Sequence, residues 1–249
     1  MKIVATTLAL GVLLGAPAFA QTAPTPGTPE FNDAIRSYLL QNPEILEEMQ
    51  GALEAKREIA VREQQAVALA ERSDRIFASE DDLVLGNPDG DVTVVEFFDY
   101  NCGVCRRALG DMQQLVKEDS DVRFVLKEWP ILGPASMEAH MVSRAVARVA
   151  PDRYGEFHIA LLGSDVRADG DTAMAEAERM GIDLDAVRTA MDETETTAPL
   201  EEAYELANAL GINGTPSYVI GDAVMFGAVG TEALRERIAQ VRDGSAATQ

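Results

Sequence analysis

Cysteine is almost absent from this chain. Two occur in 249 residues, Cys102 and Cys105, and histidine also occurs only twice, at His140 and His158. A tetrahedral zinc site needs four ligands. Two thiols, with histidines far along the chain and without metal-ligand spacing, argue against one, so no metal and no cofactor are expected. Basic charge is scarce as well: 21 Lys and Arg stand against 42 Asp and Glu, a formal net charge of −21. Nucleic acids and anionic membranes attract basic surfaces, so neither is an expected partner. The acidity reads as a solubility feature. Beyond residue 20 no apolar run approaches the length of a membrane span, so the mature protein is expected to be soluble.

The first twenty residues, MKIVATTLALGVLLGAPAFA, have the pattern of an export signal. Lys2 supplies the charged start, Ile3 to Ala16 the apolar core, and Ala18-Phe19-Ala20 a small-x-small cleavage site. Export places the protein in an oxidising compartment, most simply a bacterial periplasm. Residues 21–28, QTAPTPGT, read as a flexible leader.

Residues 29–77 read as helical. Thr28-Pro29-Glu30 combines a hydroxyl cap, a proline at the first helical position and an acid in the first turn. Asn42-Pro43-Glu44 repeats that start signal. Phe31, Ile35, Tyr38 and Leu39 form one apolar stripe, and Ile45, Leu46, Met49 and Leu53 form a second. After Lys56 the segment turns polar and resembles a rod or linker. The stripes need cover. Either they fold back on the main domain or they pack against copies of themselves.

The main domain is expected over residues 78–242, followed by a tail at 243–249. Val92–Phe98 (VTVVEFF) and Val122–Leu126 (VRFVL) read as strands buried on both faces. Gly103–Lys117 between them has helical periodicity, which makes a right-handed β-α-β unit. From about residue 135 to 210 only helices are expected, starting at Ala139, Arg153, Thr172, Leu184 and Leu200. A hairpin, Ser217–Ile220 and Ala223–Phe226, and a last helix, Glu232–Arg242, close the domain. A mixed sheet interrupted by an all-helical insertion follows.

Cys102-Gly103-Val104-Cys105 therefore falls at a strand-to-helix junction. As a structural staple, so short a loop would contribute only about 2 kcal/mol. As a redox pair it is well placed. Unpaired N–H groups and the helix dipole at Cys102 would stabilise a thiolate, and Arg106 and Arg107 add positive charge nearby. Cys105, one turn on, could attack a mixed disulfide made by Cys102.

Two further elements belong with the pair. Gly214-Thr215-Pro216 enters the strand Ser217–Ile220, where proline is tolerated only at the first residue or a bulge. A cis bond there would set the Thr215 backbone opposite the cysteines for an extended substrate; an ordinary trans loop is the alternative. Glu96 is an acid inside VVEFF, and a buried carboxylate must be paired, wet or protonated. Lys127 on the neighbouring strand is the expected partner, and a proton relay for Cys105 the functional reading. A Glu96 facing solvent at a strand edge is the other.

With these residues in view, the segment from Asp82 to about Arg242 resembles the DsbA-type branch of the thioredoxin superfamily. The likeness rests on E-F-F-D-Y-N-C-x-x-C, on K-E-W-P-I-L at Lys127–Leu132, and on G-T-P at Gly214–Pro216. It implies an α/β thioredoxin fold with an inserted all-helical domain, preceded by an N-terminal helical extension. It further implies Cys102 as nucleophile, Cys105 as resolving cysteine, Glu96 as the buried acid and Pro216 as a cis-proline. Gly103 and Thr215 are more like the isomerases DsbC and DsbG than the oxidase DsbA, whereas Val104 matches neither. Residues 31–60 resemble the N-terminal segment of ScsC proteins, some of which are trimers, and this implies a homo-oligomer through residues 29–77. The expected activity is that of an isomerase or reductase on cysteine-bearing proteins, kept reduced by a membrane thiol reductase of the DsbD or ScsB type. The alternatives are a DsbA-like oxidase served by a DsbB-type membrane protein, and a holdase or copper-handling binding protein.

Overall fold

The structure, a computed structural model, describes residues 25–81 and 83–244. The export signal read over residues 1–20 lies outside the described residues. The backbone divides into two compact units, with the boundary between Lys56 and Arg57.

In the first unit, α1 (Pro29–Gln41) starts as its sequence directs: the Thr28 hydroxyl accepts a hydrogen bond from the Phe31 N–H at 3.3 Å. Asn42 departs from expectation. Its side-chain amide donates to the Tyr38 carbonyl at 2.7 Å and so closes α1, while its own carbonyl accepts from Ile45 N at 3.2 Å. The cause is Pro43, which turns the residue before it away from helical geometry. No residue of α1 is buried. Tyr38, Leu46, Met49 and Leu53 all stand exposed, Met49 by 60%. The next helix, α2, runs Ile45–Glu71.

In the second unit the polar segment after Lys56 is not a free rod. Ala68 of α2 and Ile76 of α3 (Ser73–Phe77) are buried against Val95, Phe97, Val125, Leu206 and Val219. Gln64 donates to the carbonyls of Asn208 and Ala209, and Gln65 to that of Leu210. These carbonyls stand at the end of a helix, where the regular intrahelical ladder runs out. The glutamines that made the segment look solvated are thus spent on another helix's end.

Five strands form one mixed sheet: β1 (Leu83–Gly86), β2 (Val92–Phe98), β3 (Val122–Glu128), β4 (Ser217–Ile220) and β5 (Ala223–Phe226). Their order is β1-β3-β2-β4-β5, with β2 and β3 parallel and the other neighbours antiparallel. The β2–β3 crossover is α4 (Gly103–Glu118). Side chains alternate across β2. Val94 and Phe98 meet α4 residues Cys105, Met112 and Leu115, whereas Val95 and Phe97 face the Ala68–Leu206 side.

The insertion consists of α5 (Pro134–Val149), α6 (Pro151–Gly163), α7 (Gly170–Arg179), α8 (Leu184–Met191) and α9 (Thr194–Ala209). Three starts move upstream onto prolines or caps. α5 opens on Pro134, α6 on Pro151, and Asp169 caps α7 by accepting from Thr172 N at 2.9 Å. α9 starts at Thr194, upstream of the expected Leu200, and contains Pro199. The last helix is α10 (Thr231–Arg242), whose Leu234 and Ile238 join the α4 side of the sheet.

Candidate active site

Cys102 is the N-cap of α4, and its sulfur accepts a hydrogen bond from the Cys105 N–H at 3.3 Å. The same sulfur lies 3.2 Å from the Thr215 carbonyl, to which it donates while protonated. The Thr215–Pro216 bond is cis, and the Pro216 carbonyl accepts from Gly227 N at 2.9 Å. The structure therefore brings together Cys102, Cys105, Thr215 and Pro216 as the sequence placed them.

The two thiols sit in opposite electrostatic conditions. Cys102 is 6% exposed and its pKa falls to about 5. The Cys105 thiol contributes most; the Thr215 side chain and the N–H groups of Cys105 and Val104 add to it, against a cost of burial. Arg106 is turned elsewhere: its Nε donates to the Leu162 carbonyl at 3.3 Å, and Nη1 is 3.6 Å from Asp165. Cys105 is fully buried, and burial, the bond to Cys102 and the nearby Glu96 push its thiol far above the ordinary range. One thiol is held ready as the anion and the other as the acid.

Glu96 is 5% exposed on the α4 side of β2. Burial raises its pKa to about 8; the Tyr218 hydroxyl lowers it, and the charges of Cys102 and Asp111 raise it. Lys127 is not where the sequence reading put it. The register pairs Glu96 with Leu126 and Lys127 with Phe97, so alternation sends the lysine to the opposite face. There its ammonium donates to the Arg75 carbonyl at 2.8 Å. A slip of one position across the ladder separates the expected pair.

Behind the pair lies a buried polar cluster that the sequence reading did not assemble. Tyr100 donates its backbone N–H to His140 Nε2 at 3.2 Å, and its hydroxyl is 2.7 Å from Ser143 and 3.3 Å from His158. Glu128, at the end of β3, accepts from Ser143 and Tyr154 and meets His140 Nδ1 at 3.1 Å. Burial alone would raise the Glu128 pKa, but His140, Arg144 and Ser143 more than offset it and leave it below the ordinary value. His158 is held neutral, its pKa lowered to about 4 by burial. Asp99 braces the loop, accepting from Asn101 N, Leu132 N and Ser136 Oγ. One signal was present: Ser136, His140 and Ser143 fall at i, i+4 and i+7 on one face of α5.

A low-pKa thiol capping the helix after a central strand, with its partner thiol one turn on and a cis-proline opposite, defines a thioredoxin-class dithiol protein. Residues 93–239 match the model of the DSBA-like thioredoxin domain, and the chain belongs to that family of thiol:disulfide oxidoreductases. Residues 28–60 match the model of the copper resistance protein ScsC N-terminal domain.

A thioredoxin-like oxidoreductase from Silicibacter pomeroyi is 41% identical, with a TM-score of 0.66 over 68% of this chain and 97% of that one. A linker-deletion variant of Proteus mirabilis ScsC is 25% identical, with a TM-score of 0.67 over 90% of this chain and all 100% of that one. Disulfide bond formation protein D of Bacillus subtilis is 26% identical over 168 residues, 62% of this chain and 74% of that protein. The chain also matches Na(+)/H(+) antiporter NhaA 3 of Salinispora tropica at 25% identity over 153 residues, but spans only 24% of that protein's length. Among the described residues no helix is long and apolar enough to cross a membrane.

Proposed function

We propose that this chain is a periplasmic protein thiol:disulfide oxidoreductase that works as an isomerase or reductase. The observation that carries the reading is the opposed pair: Cys102 with its pKa lowered to about 5, against a buried, protonated Cys105. The Cys102 thiolate attacks one sulfur of a client disulfide and expels the other as a thiolate. That client thiolate attacks a further client disulfide, and a client thiolate then displaces Cys102. Its low pKa makes Cys102 a good leaving group, and no net oxidation occurs. Reduction instead runs through Cys105. Its proton passes to the Glu96 carboxylate, its sulfur attacks Cys102, and the client leaves with both electrons. The high Cys105 pKa slows this exit and gives the mixed disulfide time to rearrange. Thr215 offers its backbone to the client strand.

Gly103 and Thr215 favour isomerisation, as their likeness to DsbC and DsbG implies. Such activity needs a reductant, for which a DsbD- or ScsB-type membrane protein fits. The oxidase reading keeps one observation in its favour: the stabilised Cys102 thiolate also makes the disulfide more oxidising. Lys127 has no part in the scheme. The periplasmic setting is supported by the export pattern of residues 1–20.

A Cys105→Ser variant, offered a protein with accessible disulfides, is expected to accumulate a covalent complex on non-reducing gels that reductant dissolves. Cys102→Ser should form none. Equal trapping by both variants, or by neither, would remove Cys102 as the nucleophile.

Self-association through residues 29–77 belongs to the same proposal. Ile35, Tyr38, Leu46, Met49 and Leu53 are exposed, and the ScsC N-terminal match covers them. Several sites facing one client would raise its effective concentration. Light scattering on the chain from Gln21 is expected to give a mass that is a multiple of one protomer. A single-protomer mass would end this part.

A further inference from the structure

We infer that the Tyr218 hydroxyl is the positioning group for Glu96 in the resolving step, holding its carboxylate and favouring its ionised form. The inference rests on the reading of Glu96 as the acceptor of the Cys105 proton.

The geometry begins with the ladder. Glu96 pairs with Leu126 on one side and with Tyr218 on the other. Leu126 brings no polar atom, and the register takes Lys127 to the far face. Tyr218 is 1% exposed, and its hydroxyl lies 3.5 Å from Glu96 Oε1. Among the described residues this is the side-chain hydrogen bond that Glu96 makes. The titratable and charged groups acting on Glu96 are Cys102, Cys105 and Asp111 from α4 and Tyr218 from β4. From α10, Thr231 donates its N–H and hydroxyl to Asp111, at 3.1 and 2.6 Å. No cation appears in that set. Tyr218 therefore takes the place that a basic partner would occupy.

At 3.5 Å the contact is long. A hydroxyl bonded to a carboxylate is shorter and stronger than one bonded to a carboxylic acid. The interaction therefore tightens only when Glu96 is ionised, the state that can receive a proton. Formation of the mixed disulfide removes the Cys102 charge, one of the influences that keeps Glu96 protonated. Cys105–SH then gives its proton to the carboxylate. The new thiolate attacks Cys102 Sγ, the bond from Cys102 to the client sulfur breaks, and the client leaves as a thiolate. Tyr218 gains or loses no proton in this balance.

The test uses the full mature chain and dithionitrobenzoate. Attack by Cys102 releases one thionitrobenzoate and leaves the other on Cys102. Attack by Cys105 releases the second. The first phase reports Cys102 and the second reports resolution. Tyr218→Phe keeps the ring and removes the hydroxyl. Its second phase at neutral pH is expected to slow about 3- to 10-fold, the effect of one modest hydrogen bond. Its pH midpoint should rise by about half to one unit, with the difference closing above that midpoint. In a Glu96→Gln background the same substitution should have no further effect, which a merely structural role would not produce.

An unchanged second phase in Tyr218→Phe beside a slowed Glu96→Gln would overturn the inference and leave the role of Glu96 standing. Equal slowing by Tyr218→Phe in both backgrounds would also overturn it. A second phase untouched by Glu96→Gln would overturn both. Loss of the first phase in the unmodified chain would remove the site reading beneath them.

Discussion

In the reduced protein the Cys102 thiolate is expected to titrate with a midpoint near pH 5, and the stability of the reduced form should depend on pH accordingly. The ordinary value for the thiol is 9.0. Folding depresses it, so between these values the folded chain binds fewer protons than the unfolded one. The contribution is complete above about pH 9 and is lost as pH falls through about 5. At pH 7 two pH units of the window have been used, which corresponds to about 3 kcal/mol. Only the reduced form carries this contribution, because a disulfide has no thiol to titrate. Glu96 acts in the other direction. Its pKa is raised, so it costs stability as pH climbs from 4.5 toward 8. That cost comes chiefly from burial, which both redox forms share. The difference between the forms therefore reports chiefly Cys102, with a smaller opposing part from the Cys102 charge acting on Glu96.

The measurement is thermal unfolding of reduced and oxidised protein across pH, with the ultraviolet absorbance of the thiolate followed in parallel. The melting temperature of the reduced form, relative to the oxidised one, should fall by about 6–12 °C from neutral pH to below pH 5. A thiolate midpoint near 9, or a difference that does not vary with pH, would mean that the helix start does not hold the anion.

How much of this could be read beforehand depended on where the physical signal lay. β2 and β3 were legible because VTVVEFF and VRFVL are long, β-branched and apolar, as strands buried on both faces must be. The dithiol was legible because its chemistry is local: cap, helix start and second sulfur lie within four residues. What failed depended on pairing across the chain. Lys127 was assigned to Glu96 because both sit on adjacent strands, but a one-residue difference in register moves a side chain through the sheet. Gln64 and Gln65 looked solvated because their acceptors are backbone carbonyls more than a hundred residues away. The histidines were dismissed as metal ligands for want of spacing; His140 meets Glu128, which stood inside a motif read for its resemblance alone, and His158 meets the Tyr100 hydroxyl. Helix starts in the insertion were placed too far downstream. Pro134 and Pro151 begin their helices, and Pro199 lies within one.

The largest functional effect is expected from Cys102→Ser in disulfide rearrangement. An isomerase must break a wrong bond before a right one can form, and that first step needs a thiolate at neutral pH. Of the two thiols, only Cys102 has a pKa low enough to supply one. A serine hydroxyl at the same cap can accept the Cys105 N–H bond and leave α4 intact, but it cannot exchange with a disulfide. Structure should survive while exchange is abolished, which also separates this reading from a holdase. A holdase would protect clients from aggregation without the thiol.

The most direct measurement is recovery of activity by a client protein refolded from scrambled disulfides, in mildly reducing buffer, with the mature chain from Gln21. The account predicts recovery well above both the uncatalysed rate and the Cys102→Ser control. No recovery, with rapid oxidation of a reduced client by the oxidised protein, would contradict it and make the chain a dithiol oxidase in which Gly103 and Thr215 do not set the direction of exchange.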